Sequence, residues 1–226
     1  MGAASRASRI IGALILAQMV GSVLVNLVLT APLVDEPGFL VNAAAHSRQI
    51  GLSVVFGLAT NAIFVAIAIT AFPVFRQYSQ ALALWFVALA VVSLSVAAVE
   101  NISVMSMLSL SEAYAQASAA DRDQFQALRV VVASARNWAH FVGRLVDGST
   151  IFVLYAVLYR FALVPRALAA FGLAAVMLQL MAVGMPLFGH SVVFPMLAPL
   201  GVSQLVLALW LMIKGFRTQA SRGHEA

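Results

Sequence analysis

The sequence contains no cysteine and very little charge. Without cysteine the chain can have no disulfide, no thiolate metal ligand and no thiol nucleophile. Charged residues make up only 9% of the chain and hydrophobic residues 63%, against roughly a quarter and a half in soluble domains. A water-soluble fold of 226 residues cannot bury so much apolar surface, and disordered chains are poor in it. The composition therefore predicts an integral membrane protein.

Several functional motifs are also absent. The sequence has no glycine-rich phosphate loop, no His-Glu-x-x-His metal motif and no Gly-x-Ser-x-Gly nucleophile elbow. Its single lysine, Lys214, follows the last apolar run, whereas a retinal Schiff base needs a lysine in mid-membrane. The net charge of +5 comes from arginines scattered singly between apolar runs, which argues against nucleic-acid binding. No catalytic residue can be named from this pattern, and the pattern does not favour an enzyme.

The sequence does contain long apolar runs separated by polar or turn-forming segments. Each run is continuous rather than alternating and reaches or exceeds the roughly 20 residues that a transmembrane helix needs. We therefore predict an all-α fold with a single domain over residues 1–226, an integral membrane bundle of about six transmembrane helices. The predicted spans are residues 10–33, 50–72, 81–110, 130–159, 167–187 and 192–213.

Lysine and arginine lie mostly on one side of this predicted bundle. The positive-inside rule places that side, with both termini, in the cytoplasm. The cytoplasmic side then carries Arg6, Arg9, Arg76, Arg160, Arg166, Lys214, Arg217 and Arg222. The outer side carries a mixed and more acidic set: Asp35, Glu36, Arg48, Glu112, Asp121, Arg122, Asp123 and Arg129.

The connection between the third and fourth spans differs from the others because it is polar and alanine-rich, without glycine or proline. Ser118-Ala-Ala-Asp121 has the form of a capping box, in which a hydroxyl caps a helix start and a carboxylate reaches back. We predict that the fourth helix begins near Ala119 and projects from the membrane before entering it.

Four motifs lie at the boundaries of the predicted spans: RIIG at 9–12, FPVFR at 72–76, LVPRAL at 163–168 and WLMIKGF at 210–216. Together they resemble a bacterial six-span membrane family, the domain-of-unknown-function family numbered four-three-eight-six. The resemblance covers nearly the whole chain. It implies six spans and a multi-pass protein of the bacterial inner membrane, and it brings no catalytic residue and no substrate.

Polar residues inside the predicted spans are the candidate functional residues, because charges in a bilayer are costly and usually face the bundle interior. Four of them lie in a stripe on one face of the fourth helix, within a sector of roughly 80°. The third helix adds a carboxylate and an amide at similar depth. The candidates are Arg136, His140, Arg144 and Asp147 on the fourth helix, with Glu100 and Asn101 on the third.

This cluster allows two interpretations. In the structural one, Arg144 pairs with Glu100 across helices and with Asp147 one turn away, and the network fixes helix register. In the functional one, the stripe lines a pocket that opens outward. Arg136 or Arg144 then meets an anionic group, since arginine binds carboxylate or phosphate with two parallel hydrogen bonds, and His140 or Glu100 handles a proton.

Three histidines suggest a further possibility. His46, His140 and His190 are all predicted on the outer side, where imidazoles could bind copper or ligate haem. The three lie in different segments, and a lone histidine at a membrane interface is usually a polar cap. No cofactor is expected, and haem or copper is kept as an alternative.

Prolines interrupt the start of the sixth span. Pro195 and Pro199 remove backbone hydrogen bonds in the outer half of the predicted helix. The freed carbonyls either face a cavity, as in the broken helices of transporters, or are satisfied again at a simple kink.

The leading hypothesis is a multi-pass membrane protein that binds or transports a small anionic or amphiphilic ligand. Its pocket opens outward between the third, fourth and sixth helices. The alternatives are a structural or accessory membrane subunit without a ligand, and a redox protein holding haem or copper. The expected partners are the lipid bilayer and a small molecule, with no nucleic acid and with oligomers allowed.

Overall fold

The structure, a computed structural model, describes residues 3–118 and 120–217. Within these ranges the chain is helical and has no strand. Six helices are long and apolar enough to cross a membrane, as the sequence predicts. The helices are α1 (Ala3–Val23, continued as a π-helix by Leu24–Leu29), α2 (Ala31–Val34), α3 (Phe39–Ala45), α4 (Ser47–Phe75), α5 (Gln80–Gln116), α6 (Arg122–Arg160), α7 (Arg166–Gly184) and α8 (Ala198–Ile213). Short 3₁₀ turns at Met185–Phe188 and Phe194–Leu197 separate α7 from α8.

The spans are formed by α1, α4, α5, α6, α7 and α8, and two of them are unusually long. Both α5, with 37 residues, and α6, with 39, exceed the roughly 20 residues that a bilayer requires. The length of α6 is compatible with the predicted projection of the fourth span, which stays a prediction. Its predicted start at Ala119 lies outside the described residues. The helix itself begins at Arg122, directly after a hydrogen bond of 2.6 Å from Ser118 Oγ to Asp121 Oδ2.

The chain packs as two compact units. The first unit holds residues 3–18, 63–93 and 144–217, and the second holds residues 19–62, 94–118 and 120–143. The prediction of one domain over the whole chain stays a prediction.

The first unit gathers four chain segments at one of its ends. The backbone N–H of Arg217 donates to the carbonyl of Leu163 at 2.8 Å, and the rings of Tyr78 and Phe161 lie 5.2 Å apart. Gly215 packs against Ser8 near the start of α1. Four segments therefore meet: the start of α1, the α4–α5 connection, the α6–α7 connection and the end of α8. A bundle with an even number of spans requires this arrangement.

This unit also holds most of the positive charge. Its described residues include eight lysines and arginines but one carboxylate, Asp147, whereas the second unit has four arginines and six carboxylates. The positive-inside rule orients a membrane bundle from this kind of excess of lysine and arginine. The cytoplasmic location of the termini stays a prediction, which we test below.

The predicted end of the first span was wrong. The first span ends at Leu29 rather than Leu33, because Thr30 closes the π-helix on the carbonyl of Val25 and Pro32 begins the separate helix α2. Proline suits a first helical turn, where its missing N–H would have no partner.

The prolines of the sixth span follow the same rule. Pro195 lies in the first turn of a 3₁₀ helix and Pro199 in the first turn of α8. The helical span runs from Phe194 to Ile213 and includes both prolines, so the two predicted outcomes, a cavity-facing break and a re-satisfied kink, stay predictions.

Candidate functional site

The second unit contains a cavity of about 260 Å³. One wall is a face of α6 that carries Arg129, Ala133, Arg136 and Asn137, and the base includes Met107 of α5. The opposite wall is the segment of residues 33–39, which joins α2 to α3. The cavity is smaller than the roughly 300–1,000 Å³ of drug-sized sites, so its size suits a small molecule or the head of a larger one.

The wall opposite α6 is a tight turn held by its own backbone. The Gly38 N–H donates to the carbonyl of Asp35 at 2.8 Å, and Asn42 Nδ2 donates to the same carbonyl at 2.9 Å. Gly38 has a φ of +103°, a conformation that side-chain-bearing residues rarely adopt. A Cβ at this position would lie 3.1 Å from Arg129 Nη2, so glycine also lets the guanidinium approach the turn.

Helix α3 is fixed to α5 by one buried serine. Ser111 Oγ donates to the carbonyl of Leu40 at 3.0 Å and accepts the Ala44 N–H at 2.9 Å. Around it lies a buried apolar cluster that spans α2, α3, α4 and α5. Its members are Leu33, Phe39, Leu40, Ala43, Ile50, Val104, Met107 and Leu108. The cavity wall therefore rests on a packed core.

Arg136 connects the cavity to a carboxylate on α5. Its Nη2 lies 3.4 Å from Glu100 Oε1, and His140 Nδ1 lies 2.9 Å from the same oxygen. The Arg136 side chain is 13% exposed. Its Nε is buried and has no hydrogen-bond partner within the described ranges. A buried guanidinium N–H without a partner is costly, so Arg136 retains the capacity to bind an acceptor.

Arg129 supplies a second cation to the same cavity. It lies seven residues before Arg136 on α6, which places both side chains on one helix face. No ion pair of Arg129 occurs among the residues that the structure describes. The charged lining residues are therefore two arginines on one wall and Glu36 on the other, and Arg129 forms no ion pair with Glu36.

The other two members of the predicted stripe belong to the first unit. Arg144 Nη1 lies 3.4 Å from Asp147 Oδ2, a contact that their one-turn spacing predicts. Ser93 Oγ on α5 donates a hydrogen bond to Asp147 Oδ1. Asp147 is buried, and these two partners offset the cost of its burial.

Asn101 has a local role in the second unit. Its Nδ2 donates to the carbonyl of Ala97, one turn back in α5, at 2.8 Å. Its side chain packs against Gly57 of α4, where a Cβ would lie 3.2 Å from Asn101 Oδ1. Of the six candidates, Arg136 alone lines the cavity described here.

Sequence reasoning missed Arg129, Glu36 and Asn137 as lining residues. The i, i+7 spacing of Arg129 and Arg136 was the available signal, because it puts two cations on one face of a helix. Arg129 was instead assigned to the outer connection as an orientation charge. Glu36 was likewise counted only among the charges of the outer side, and its position across from α6 follows from how α3 packs on α5.

The histidines do not form a recognisable metal site in the described part of the chain. No group of three or more histidine or carboxylate side chains there could hold a metal ion. His46 Nδ1 contacts the carbonyl of Asn42 in its own helix at 2.9 Å, and His140 contacts Glu100. His190 is exposed after the 3₁₀ turn that follows α7. The haem or copper alternative stays a prediction for these residues.

These features define an all-α, multi-pass membrane protein. Its six spans carry a polar cavity in a unit built on α5 and α6. The chain belongs to the family described as Domain of unknown function (DUF4386), whose model matches residues 10–215. No curated protein and no solved structure matches the chain.

Proposed function

We propose that the protein binds a small anionic or amphiphilic ligand in the cavity lined by Arg129 and Arg136. The observation that carries the proposal is the pair of arginines on one cavity wall, of which Arg129 forms no ion pair among the described residues. Guanidinium groups bind carboxylate and phosphate oxygens through paired N–H donors. Asn137 adds an amide to the same wall. The ligand therefore carries a carboxylate or a phosphate.

The remaining lining indicates that part of the ligand is apolar. Leu33, Phe39 and Met107 face the same space as the two arginines. A site with an apolar wall and few polar groups binds apolar atoms and uses the polar groups for orientation. An anion with a short alkyl chain suits such a lining better than a bare inorganic ion.

The charge distribution favours a site on the outer face of the membrane. The second unit has more carboxylates than arginines, and the first unit is strongly cationic. In the bacterial inner membrane that the proposal assumes, the ligand would be met in the extracytoplasmic space. The proposal is that the protein binds the ligand. A carrier and a receptor would both do so.

Binding can be tested with defined anions. The protein, purified in an uncharged detergent, is titrated with inorganic phosphate, succinate and octyl phosphate, with octyl glucoside as the uncharged control. Octyl phosphate is expected to bind most tightly, and raised ionic strength is expected to weaken its binding. Comparing phosphate with octyl phosphate separates a free anion from an amphiphile.

Arg129→Gln is the diagnostic variant, because Arg129 lines the cavity without an ion pair among the described residues. We expect at least a tenfold loss of octyl phosphate affinity and an unchanged melting temperature. Arg48→Gln removes the same charge from an exposed position in the same unit and is expected to bind normally. Equal affinity in both variants, or no binding of any of the three anions by the wild-type protein, would refute the proposal.

A structural role without a ligand is the second candidate, favoured by the contacts of Glu100. This carboxylate on α5 accepts from both Arg136 and His140 of α6, so it ties two spans together. In this role Glu100→Gln lowers the free energy of unfolding by about 2 kcal/mol. The double variant Glu100→Leu with Arg136→Met restores it, since apolar side chains can replace a buried ion pair. A double variant that melts as low as the single one would count against this role.

A further inference from the structure

Helix α6 exposes a line of apolar side chains along its first half. Leu128, Val131, Trp138 and Val142 are between 43% and 65% exposed, and Ala135 is exposed between them. All five lie in the second unit. They form a continuous apolar stripe, which we call the α6 stripe.

The spacing of the α6 stripe is that of a coiled-coil seam. The five positions follow one another at intervals of three, four, three and four residues. This 3.5-residue repeat keeps a narrow line of side chains facing a neighbouring helix. A helix that faces only the core of its own bundle does not need such a line on its exposed side.

Lipid cannot cover most of this stripe. Helix α6 has 39 residues, which at 1.5 Å per residue gives about 58 Å, whereas the hydrocarbon core is roughly 30 Å thick. A span of roughly 20 residues that ends at Arg160 begins near His140. Arg122, Asp123 and Arg129 in the preceding part are also incompatible with hydrocarbon. The stripe from Leu128 to Trp138 therefore lies in water or at the interface unless a protein covers it.

We infer that the α6 stripe is the contact surface of a parallel homodimer. The α6 helix of a second copy suits this surface, because it has the length to cross the membrane and to continue beyond it at the same level. A two-fold axis along the membrane normal pairs each stripe residue with itself.

The charges of α6 are compatible with this pairing. The positions that flank the seam carry no charge, so identical helices do not repel one another there. Arg129 and Arg136 lie on the cavity face of α6, away from the seam. The flanking residues are Ala127, Val132, Ser134, Ala139 and Phe141.

Disulfide trapping tests the inference directly, because the chain has no cysteine of its own. Val131→Cys and Ala135→Cys are single-cysteine variants on the stripe. Val130→Cys and Asn137→Cys are matched controls, exposed on the same helix but off the stripe. A disulfide forms only when the two Cα atoms come within about 7 Å, which a seam position satisfies and an off-seam position does not. After mild oxidation in native membranes, we expect covalent dimers at least fivefold more abundant for the stripe variants than for the controls.

Two results would overturn the inference. One is equal cross-linking at all four positions, which indicates random collision. The other is no cross-linking at the stripe together with a monomer in native mass spectrometry of the wild-type protein in mild detergent. A melting curve of each variant confirms that it is folded. This experiment does not depend on the ligand, so its failure and the failure of the anion-binding proposal are distinguishable.

Discussion

At the scale of single residues, Gly172 of α7 is a position in the first unit where no side chain fits. A Cβ on Gly172 would lie 2.1 Å from a ring carbon of Tyr155 on α6. Tyr155 is fully buried, and its hydroxyl is 2.7 Å from Ser203 Oγ of α8. The ring therefore cannot swing aside without breaking that hydrogen bond. One glycine thus sets the distance between two spans, as small residues do in membrane bundles.

Gly172→Ala is expected to lower the free energy of unfolding by about 3 kcal/mol, near the top of the range for overpacked cores. The measurement is the melting temperature in detergent. Gly201→Ala is the matched control, because a Cβ on Gly201 of α8 would meet no atom within 4 Å. Alanine there favours the helix by up to about 1 kcal/mol. Similar melting temperatures for the two variants would contradict this account of the α6–α7 contact.

The contacts of single residues are also what the sequence predicted least well. Six polar candidates were chosen by their depth in predicted spans, yet Arg136 is the one that lines the described cavity. Helical periodicity gives the direction of a side chain from its own helix, but not what faces it. Arg144 has Asp147 one turn away in its own helix, a contact that the sequence spacing predicts. Arg136 meets Glu100 of α5, a partner that the sequence of its own helix does not reveal.

At the scale of elements, the cavity depends on how the short helix α3 is held. Seven residues are too few to form a stable isolated helix. Its position comes from the two hydrogen bonds to Ser111 and from the apolar cluster beneath it.

Ser111→Ala is expected to loosen α3 and the adjoining cavity wall. It leaves the Ala44 N–H and the Leu40 carbonyl without their side-chain partner, at a cost of about 1–3 kcal/mol. Hydrogen exchange of residues 39–45 measures the effect, with faster exchange expected. Ser106→Ala is the control, because Ser106 is an exposed serine of α5 whose hydroxyl donates to the carbonyl of Ile102, one turn back in the same helix. Unchanged exchange in Ser111→Ala would show that the apolar cluster alone holds α3.

Element types were predictable from the sequence, but several ends were not. Runs of apolar residues are long enough to identify spans whatever their neighbours are. Helix ends depend on single hydrogen bonds, such as those of Thr30 to Val25, and on whether a proline begins or interrupts a helix. Pro32, Pro195 and Pro199 each lie in the first turn of a helical element. The sequence alone does not distinguish a proline in a first turn from a proline within a helix.

At the scale of the whole molecule, the orientation in the membrane is the prediction that most affects function. Gln77 in the α4–α5 connection and Gln116 at the end of α5 are both exposed, at opposite ends of one span. Each is replaced by cysteine in the cysteine-free chain. A membrane-impermeant maleimide applied to intact cells is expected to label Gln116→Cys and not Gln77→Cys.

Permeabilised cells provide the control, in which both variants should be labelled. Labelling of Gln77→Cys alone in intact cells would invert the bundle and move the cavity to the cytoplasmic face. That outcome would change the proposed source of the ligand but leave the arginine chemistry of the site intact.

The sequence by itself determined the class of protein, its six spans and its charge asymmetry. These depend on local composition, because each span must be apolar along its own length to enter a bilayer. It also contained the motifs that resemble the family to which the chain belongs. Tertiary structure decided which polar residues meet. The pairing of Glu100 with Arg136 and His140, the approach of Arg129 to Gly38 and the cavity between α6 and residues 33–39 depend on contacts between distant segments. No local pattern encodes those contacts, since they follow from how the helices pack.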